Sequence, residues 1–147
     1  MKHIDLKSLP MIGAGKHGQV YRLDDWRCIK KYKNRKYAKM EFRVLDHSKG
    51  YKQFPRVYYF KDRYMIREFC DGPDAREYIK KYGLNRALAQ KLIEIIDIFK
   101  ELGYSRIDCR LPHIIVTKGM QLKIIDPTRN MHKKVDYPRQ MLNELEN

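Results

Sequence analysis

The stretch GAGKHGQV at residues 13–20 has the pattern GxGxxGxV, and it decides the fold expected for the chain. Such glycine patterns also mark dinucleotide-binding folds, but there the loop must open into a helix. Here residues 19–23 read as a strand, Asp24 and Asp25 as a turn, and residues 26–32 as a returning strand. The glycines therefore belong to a β-hairpin, where backbone N–H groups can approach phosphates that a Cβ atom would block. A glycine-rich turn without a ligand is the alternative interpretation.

A lysine and a glutamate downstream of this hairpin form a second pattern. Lys30 lies in the returning strand on the same face as Cys28, from which it can reach back to phosphates at the glycines. Apolar spacing predicts a helix over residues 36–47, and Glu41 lies on its apolar stripe. Because a carboxylate on an apolar stripe is costly without a partner, we expect Glu41 to pair with Lys30. Two unrelated surface charges would explain the lysine but not the glutamate.

The remaining segments predict an α+β chain with strands in the N-terminal half and mostly helices afterwards. A second hairpin is expected over residues 56–60 and 64–69, and a third over 113–117 and 121–125. Helices are expected over residues 75–82, over 85–102 and near the C-terminus. The apolar faces of the first and the last of these are predicted to be formed by Ala75, Tyr78, Ile79 and Tyr82, and by Met141, Leu142 and Leu145.

Two aspartates bracket the third hairpin. Asp108 follows the long helix, and Asp126 follows the second strand of the hairpin, so the two carboxylates are expected at the same end. One carboxylate can accept a proton from a substrate hydroxyl, and the other can hold Mg²⁺. Isolated aspartates in loops are usually turn formers, but two of them downstream of a glycine hairpin favour a site.

Taken in order, these features resemble the protein-kinase-like superfamily, with its glycine loop, strand lysine, helix glutamate, catalytic aspartate and metal aspartate. Residues 65–69 (MIREF) resemble the strand and hinge that hold adenine. Residues 106–110 (RIDCR) stand where such kinases have His-Arg-Asp-Leu-Lys, and residues 124–128 (IIDPT) stand where Asp-Phe-Gly is expected. The resemblance implies a single two-lobed domain over residues 1–147. Its N-lobe (1–70) would hold an antiparallel sheet and one helix, and its C-lobe (71–147) would be truncated and mostly helical.

The resemblance also implies the site. It implies an ATP-dependent phosphotransferase that moves the γ-phosphate to a hydroxyl of a protein Ser or Thr, or of a small molecule. Asp108 and Arg110 would be catalytic, and Asp126 and His113 would hold Mg²⁺, with Mn²⁺ as the alternative metal. The residues implied to contact ATP are Ile12, Gly13, Ala14, Gly15, Lys16, His17, Gly18, Val20, Lys30, Glu41, Glu68 and Cys70.

Departures from the family pattern support a second hypothesis. His113 stands where an Asn normally binds a second metal, and imidazole is a poorer Mg²⁺ ligand than an amide oxygen. Pro127 and Thr128 replace Phe-Gly, as in small-molecule kinases, and no Ala-Pro-Glu motif follows Asp126. A catalytically impaired pseudokinase that binds nucleotides or other proteins is therefore the alternative.

Composition adds a third hypothesis and a location. The 32 Lys and Arg residues exceed the 18 Asp and Glu residues by 14, which favours acidic or nucleic-acid partners, although a solvated basic surface is equally compatible. No apolar run indicates a signal peptide or a membrane span, so we expect a cytoplasmic protein without a membrane partner. Cys28, Cys70 and Cys109 have no metal-binding spacing and are expected as reduced thiols.

Overall fold

The computed structural model describes residues 4–127 and 134–146. In this part of the chain, four helices and seven strands alternate in an α+β arrangement, as the sequence predicts. The strands are β1 (Met11–Gly15), β2 (Gly18–Arg22), β3 (Arg27–Tyr32), β4 (Val57–Lys61), β5 (Tyr64–Glu68), β6 (Ile114–Val116) and β7 (Leu122–Ile124). The helices are α1 (Arg35–His47), α2 (Ala75–Tyr82), α3 (Arg86–Glu101) and α4 (Arg139–Glu146), with single 3₁₀ turns at Leu6–Ser8 and Leu111–His113.

Five strands form one antiparallel sheet in the order β1-β2-β3-β5-β4. Strand β3 is central, because it pairs with β2 on one side and with β5 on the other. The first two predicted hairpins and the antiparallel sheet with one helix after β3 are confirmed. The division into an N-lobe and a C-lobe stays a prediction.

The glycines lie within the hairpin formed by β1 and β2, the glycine hairpin, rather than in a separate loop. Gly13 and Gly15 belong to β1 and Gly18 to β2, so only Lys16 and His17 form the turn. A Cβ atom on Gly18 would lie 2.1 Å from the carbonyl oxygen of Lys31, so the packing of β2 on β3 requires glycine there. On Gly13 the nearest atom would be 3.8 Å away, and on Gly15 none of the described chain lies within 4 Å. Packing therefore explains one glycine of the three.

Helix α1 begins where the sequence predicts. The side chain of Asn34 accepts a hydrogen bond from the backbone N–H of Tyr37, which caps the helix. Ala38, Val44 and Leu45 are buried on its inner face, and Glu41 is buried among them. The helix therefore carries a charge into the core at the position that the sequence indicates.

Helix α3 supplies the centre of the core. Its residues Leu88, Leu92, Ile95 and Phe99 are buried in one cluster that also includes Met65 of the sheet. The long-helix prediction is confirmed, and Asn85 caps the helix through the N–H of Leu88. In the described residues, no helix has the length and apolar character that crossing a bilayer requires.

Two of the predicted apolar faces are narrower than expected. Tyr82 is 63% exposed because it lies in the last turn of α2, beyond the buried Ala75, where its ring contacts that of Tyr78 at a tilt. Leu142 of α4 is also exposed, whereas Met141 is buried in the core cluster. Each short helix thus contacts the core through few residues, and one apolar residue of each, Tyr82 or Leu142, is exposed to solvent.

The third predicted hairpin and the last predicted helix are both present. Strands β6 and β7 form a two-stranded antiparallel sheet. Val135 lies alongside residues 105–107, where the N–H of Ile107 donates to the carbonyl of Val135 and the N–H of Val135 donates to the carbonyl of Ser105. This pairing places α4 against residues 106–111, next to the loop that carries Asp108.

Candidate functional site

A cleft of about 890 Å³ lies between the hairpin of β1 and β2 and the loops that flank β6 and β7. All but two of the predicted site residues line it. They are Ile12, Gly13, Ala14, Gly15, Lys16, His17, Gly18, Val20, Lys30, Cys70, Asp108, Arg110, His113 and Asp126. The sequence pattern therefore marks residues that the fold does bring to one cavity.

The two predicted residues that do not line the cleft are Glu41 and Glu68. Glu41 is fully buried behind Lys30, where it contacts the lysine rather than the cavity. The side chain of Glu68 accepts from the N–H of Arg56 and pairs with Lys123, so it faces away from the cleft. The backbone carbonyl of Glu68 accepts instead from Arg67.

Lys30 joins the sheet, helix α1 and the loop after β7. Its Nζ lies 2.9 Å from Oε1 of Glu41 and 2.7 Å from Oδ1 of Asp126, and the lysine is only 4% exposed. The predicted pairing of Lys30 with Glu41 is therefore present, and Asp126 joins it. Because Lys30 and Asp126 are 96 residues apart in the chain, this contact ties the loop after β7 to the sheet.

The charges of this cluster stabilise one another. Burial alone would lower the pKa of Lys30, but the carboxylates of Glu41 and Asp126 raise it above its usual value. Burial alone would raise the pKa of Asp126, but the ammonium of Lys30, with help from Arg67 and His113, lowers it. At neutral pH the lysine is therefore cationic, and Asp126 is ionised.

Asp126 adopts an uncommon backbone conformation. Its φ is 54°, in the left-handed region, which non-glycine residues rarely occupy. In the described residues two other non-glycine positions, Asp62 and Met120, share this conformation, and both lie in hairpin turns. Asp126 follows a strand without making such a turn, and residues held in this way cluster at functional sites. Its side chain is 37% exposed, and Asp126 lines the cleft.

Arg67 is a site residue that the sequence pattern did not single out. It is buried in β5, lines the cleft, and its Nε lies 3.9 Å from Oε2 of Glu41. Glu41 is thereby flanked by two cations, Lys30 and Arg67. An arginine directly after two apolar residues of a strand (MIRE at residues 65–68) was the available signal, since buried arginines need partners.

Asp108 lies in the cleft, but helix α4 holds its carboxylate. Oδ2 accepts from the N–H of Gln140 at 2.9 Å, and Oδ1 accepts from the N–H of Met141 at 3.2 Å and of Cys109 at 2.9 Å. Asp108 thus caps the N-terminus of a helix from a distant part of the chain. No sequence pattern indicates this contact, because the residue that caps α4 lies about 30 positions before the helix.

The rest of the 106–111 segment is also bound to α4. Arg110 pairs with Glu144 at 3.5 Å and stays half-exposed, and Glu144 also accepts from the N–H of Leu111. Arg106 donates to the side chain of Gln140 at 2.5 Å. Arg110 therefore lines the cleft as predicted, with an acidic partner that any phosphate would have to replace or share.

His113 lines the cleft between these two regions. Burial lowers the pKa of His113 below its usual value, although Asp126 acts in the opposite direction. The imidazole is therefore neutral at pH 7 and has a lone pair to offer. In residues 4–127 and 134–146, no group of three or more His, Cys, Asp or Glu side chains is disposed to hold a metal.

The donor set is nevertheless of a kind that Mg²⁺ accepts. Mg²⁺ in phosphate-binding sites commonly uses one or two carboxylates, the phosphates of the substrate, and water. Asp126 supplies an ionised carboxylate, and His113 supplies a nitrogen that suits Mn²⁺ better than Mg²⁺. Thr128, which the resemblance aligns with the last position of Asp-Phe-Gly, lies outside the described residues.

The three cysteines are free thiols, as expected. Burial raises the pKa of Cys70 and of Cys109 to about 12 each, and it also raises the pKa of Cys28. None of them is therefore a nucleophile at neutral pH.

Comparison with known proteins gives no family for the chain. No protein-family model matches it, and no curated protein is significantly similar to it.

Proposed function

We propose that the chain is a protein-kinase-like domain that binds a nucleoside triphosphate and a divalent metal in the cleft and transfers the γ-phosphate to a hydroxyl. ATP and Mg²⁺ are the ligands that the sequence resemblance implies. In this proposal the five-stranded sheet with α1 is the N-lobe, the segment from residue 71 onward is the C-lobe, and the nucleotide lies between them.

The observation that carries the proposal is the cluster of Lys30, Glu41 and Asp126. A buried lysine with two carboxylates is expensive, because each charge loses its hydration on burial. Apolar residues of similar size would stabilise such a position as well or better, so stability alone does not account for the cluster. A cation held at the base of a glycine hairpin can instead bind the phosphates of a nucleotide.

The glycine hairpin supports the same use. Gly13 and Gly15 line the cleft and would tolerate a Cβ atom, so packing within the chain does not require glycine at either position. Their missing side chains let a phosphate group approach the backbone of the hairpin closely, as phosphate binding needs.

The residues would divide the reaction between them. Lys30, held by Glu41, orients the phosphates, and Asp126 with His113 holds the metal. Bound Mg²⁺ neutralises charge on the transferring phosphate. The acceptor oxygen attacks the γ-phosphorus, the bond to the bridging oxygen breaks, and the hydroxyl proton passes to Asp108. A carboxylate offers about four lone-pair sites, and three of those on Asp108 accept backbone N–H groups, which leaves one for the hydroxyl.

The same contacts favour one alternative, a pseudokinase that binds nucleotides without transfer. If Asp108 serves only to cap α4, and His113 stands in place of the second metal ligand without binding a metal, the cleft would bind the phosphates but would not transfer the γ-phosphate. Binding and transfer must therefore be measured separately.

The test of binding is thermal denaturation with increasing ATP and Mg²⁺, with GTP in parallel. A ligand that binds only the folded state raises the melting temperature. We expect a rise for wild type, little or none for Lys30→Met, and a wild-type rise for Lys31→Met, which removes the neighbouring lysine from β3 outside the cleft lining. The absence of any rise with both nucleotides would contradict the proposal.

The test of transfer uses autophosphorylation and nucleotide hydrolysis, since water serves as an acceptor where no other is known. Asp126→Asn should weaken both metal-dependent binding and transfer. Asp108→Asn should leave nucleotide affinity nearly unchanged and lower the transfer rate by about 10²–10⁴-fold. Nucleotide binding with no phosphate transfer in wild type would replace the phosphotransferase by the pseudokinase alternative.

A further inference from the structure

The guanidinium of Arg67 has unused hydrogen-bonding capacity at the cleft. A guanidinium carries five N–H donors, and donors buried without partners are costly. In residues 4–127 and 134–146, Arg67 donates one hydrogen bond, from Nη1 to the carbonyl oxygen of Glu68 at 3.2 Å, while the buried Nε has no hydrogen-bond partner. Its ion pair with Glu41 is long, at 3.9 Å. The Nε atom faces Glu41, which does not line the cavity. Arg67 itself is 5% exposed and lines the cavity, so its remaining guanidinium donors are available to an acceptor on a bound ligand.

The register of the sheet places Arg67 beside the base rather than beside the phosphates. On β3 and β5, Lys30 lies opposite Met65, and Cys28 lies opposite Arg67. Arg67 is therefore displaced from Lys30 toward the end of β5, where the chain continues into Phe69 and Cys70 along the cleft wall. If the phosphates of a nucleotide lie at Lys30 and its base lies at Phe69 and Cys70, the base lies next to the guanidinium of Arg67.

A donor at this position distinguishes purines by the group at C6. Guanine and hypoxanthine present two acceptors, O6 and N7, and an arginine that pairs with both is the commonest specific contact between proteins and guanine. Adenine presents an amino group at C6, which is itself a donor. One backbone acceptor beside this wall, the carbonyl of Glu68, already accepts a hydrogen bond from Arg67.

We infer that Arg67 makes the cleft selective for nucleotides with a 6-oxopurine base, guanine or hypoxanthine, over adenine nucleotides. The inference rests on the proposed function, because it requires a nucleoside triphosphate in the cleft. It changes the base that the sequence resemblance implies and leaves the roles of Lys30, Glu41 and Asp126 as proposed. The protonated N1 of such a base needs an acceptor, and the carboxylate of Asp71 belongs to a residue that lines the same wall.

Inosine triphosphate is the sharpest probe, because it differs from ATP only at C6 and in the proton on N1. The affinities of ATP, ITP and GTP are measured by calorimetric titration of the full chain in Mg²⁺. In wild type we expect ITP and GTP to bind about tenfold more tightly than ATP. Arg67→Met should remove the preference. Arg67→Lys keeps the charge but cannot donate two parallel hydrogen bonds to O6 and N7, so it should reduce the preference. Arg56→Met removes an exposed arginine outside the cleft lining and should keep the preference.

The outcomes separate this inference from the proposed function. Equal affinities, or tighter binding of ATP, combined with a loss of all binding in Lys30→Met, would overturn the inference and leave the proposed function in place. A preference that persists in Arg67→Met would also overturn it, because Arg67 would then act only on Glu41. If Arg67→Met does not fold, Arg67→Lys decides, and an unchanged ratio there counts against the inference. If wild type binds none of the three nucleotides, both proposals fail.

Discussion

The two walls of the cleft are held in different ways. At the Lys30 wall, charged side chains neutralise one another in the interior, with Lys30 between two carboxylates and Glu41 between two cations. At the Asp108 wall, a buried carboxylate is held by backbone N–H groups of a helix 32 residues away in the chain. The first arrangement depends on side-chain charge, and the second depends on where the last helix lies.

This difference separates the two activities in the proposed function. Lys30, which the proposal assigns to the phosphates, and its partner Glu41 belong to the sheet and to α1, so their pairing does not require α4 to be in place. The group proposed to act on the acceptor, Asp108, is oriented by α4 itself. Binding should therefore withstand changes in the tail, whereas transfer should not.

The largest expected effect follows from removal of Glu41. Glu41→Ala leaves Lys30 and Arg67 close together with Asp126 as the nearest carboxylate, and breaking a buried pair typically costs about 3–5 kcal/mol. We expect a loss of that order in the free energy of unfolding, measured by urea denaturation. Asp46→Asn on the same helix removes an exposed carboxylate and should change it by less than about 0.5 kcal/mol.

A double-mutant cycle sharpens this prediction. Lys30→Met combined with Glu41→Gln should cost less than the sum of the two single changes, because the double variant leaves neither member of the pair unpaired. Full additivity would show that the two residues do not interact in solution, and the Lys30 wall would then not depend on side-chain charge pairs.

The fold and the Lys30 wall were largely predictable, and the reason is physical. Sequence patterns predicted the hairpins and all four helices, and Glu41 was found because a carboxylate on an apolar stripe must have a partner. Arg67 obeys the same rule but was included only as part of a hinge motif. The hydrogen bonds from α4 to Asp108 were not predictable. Backbone N–H groups exist at every residue, and no sequence pattern marks which of them will donate to a distant carboxylate. The sequence therefore predicted charge pairs better than charge-to-backbone contacts.

The second effect concerns the stability of the Asp108 wall. In Asp108→Asn one carboxylate oxygen becomes an NH₂ group, which cannot accept from the backbone and would face an N–H donor of α4. We expect a loss of about 1–3 kcal/mol in the free energy of unfolding and faster hydrogen exchange at the amides of Gln140 and Met141. Asp97→Asn, an exposed change on α3, is the control. Unchanged exchange at both amides would mean that Asp108 does not hold the helix.

A smaller effect is expected at Glu144, which tests whether charge or hydrogen bonding dominates at this wall. Glu144→Gln keeps an acceptor for the N–H of Leu111 but loses the ion pair with half-exposed Arg110, so it should cost less than about 0.5 kcal/mol. Glu144→Ala also leaves that N–H without its acceptor and should cost about 1 kcal/mol. Equal costs for the two variants would contradict the contrast between the walls, because the ion pair would then carry the whole effect.

The smallest effect belongs to His113, which lies between the walls and responds to both. Burial lowers its pKa, Asp126 opposes that shift, and Arg110 and Arg106 add to it. Below the ordinary histidine pKa the unfolded chain takes up a proton that the native chain does not, so His113 lowers stability as pH falls through that window. His113→Asn should therefore lose less stability than wild type between pH 7 and pH 5. NMR titration of the imidazole measures the cause directly, and Asp126→Asn should lower the pKa of His113 further. An unchanged pKa would show that the imidazole does not sense Asp126, and His113 would then respond to the arginines near Asp108 alone.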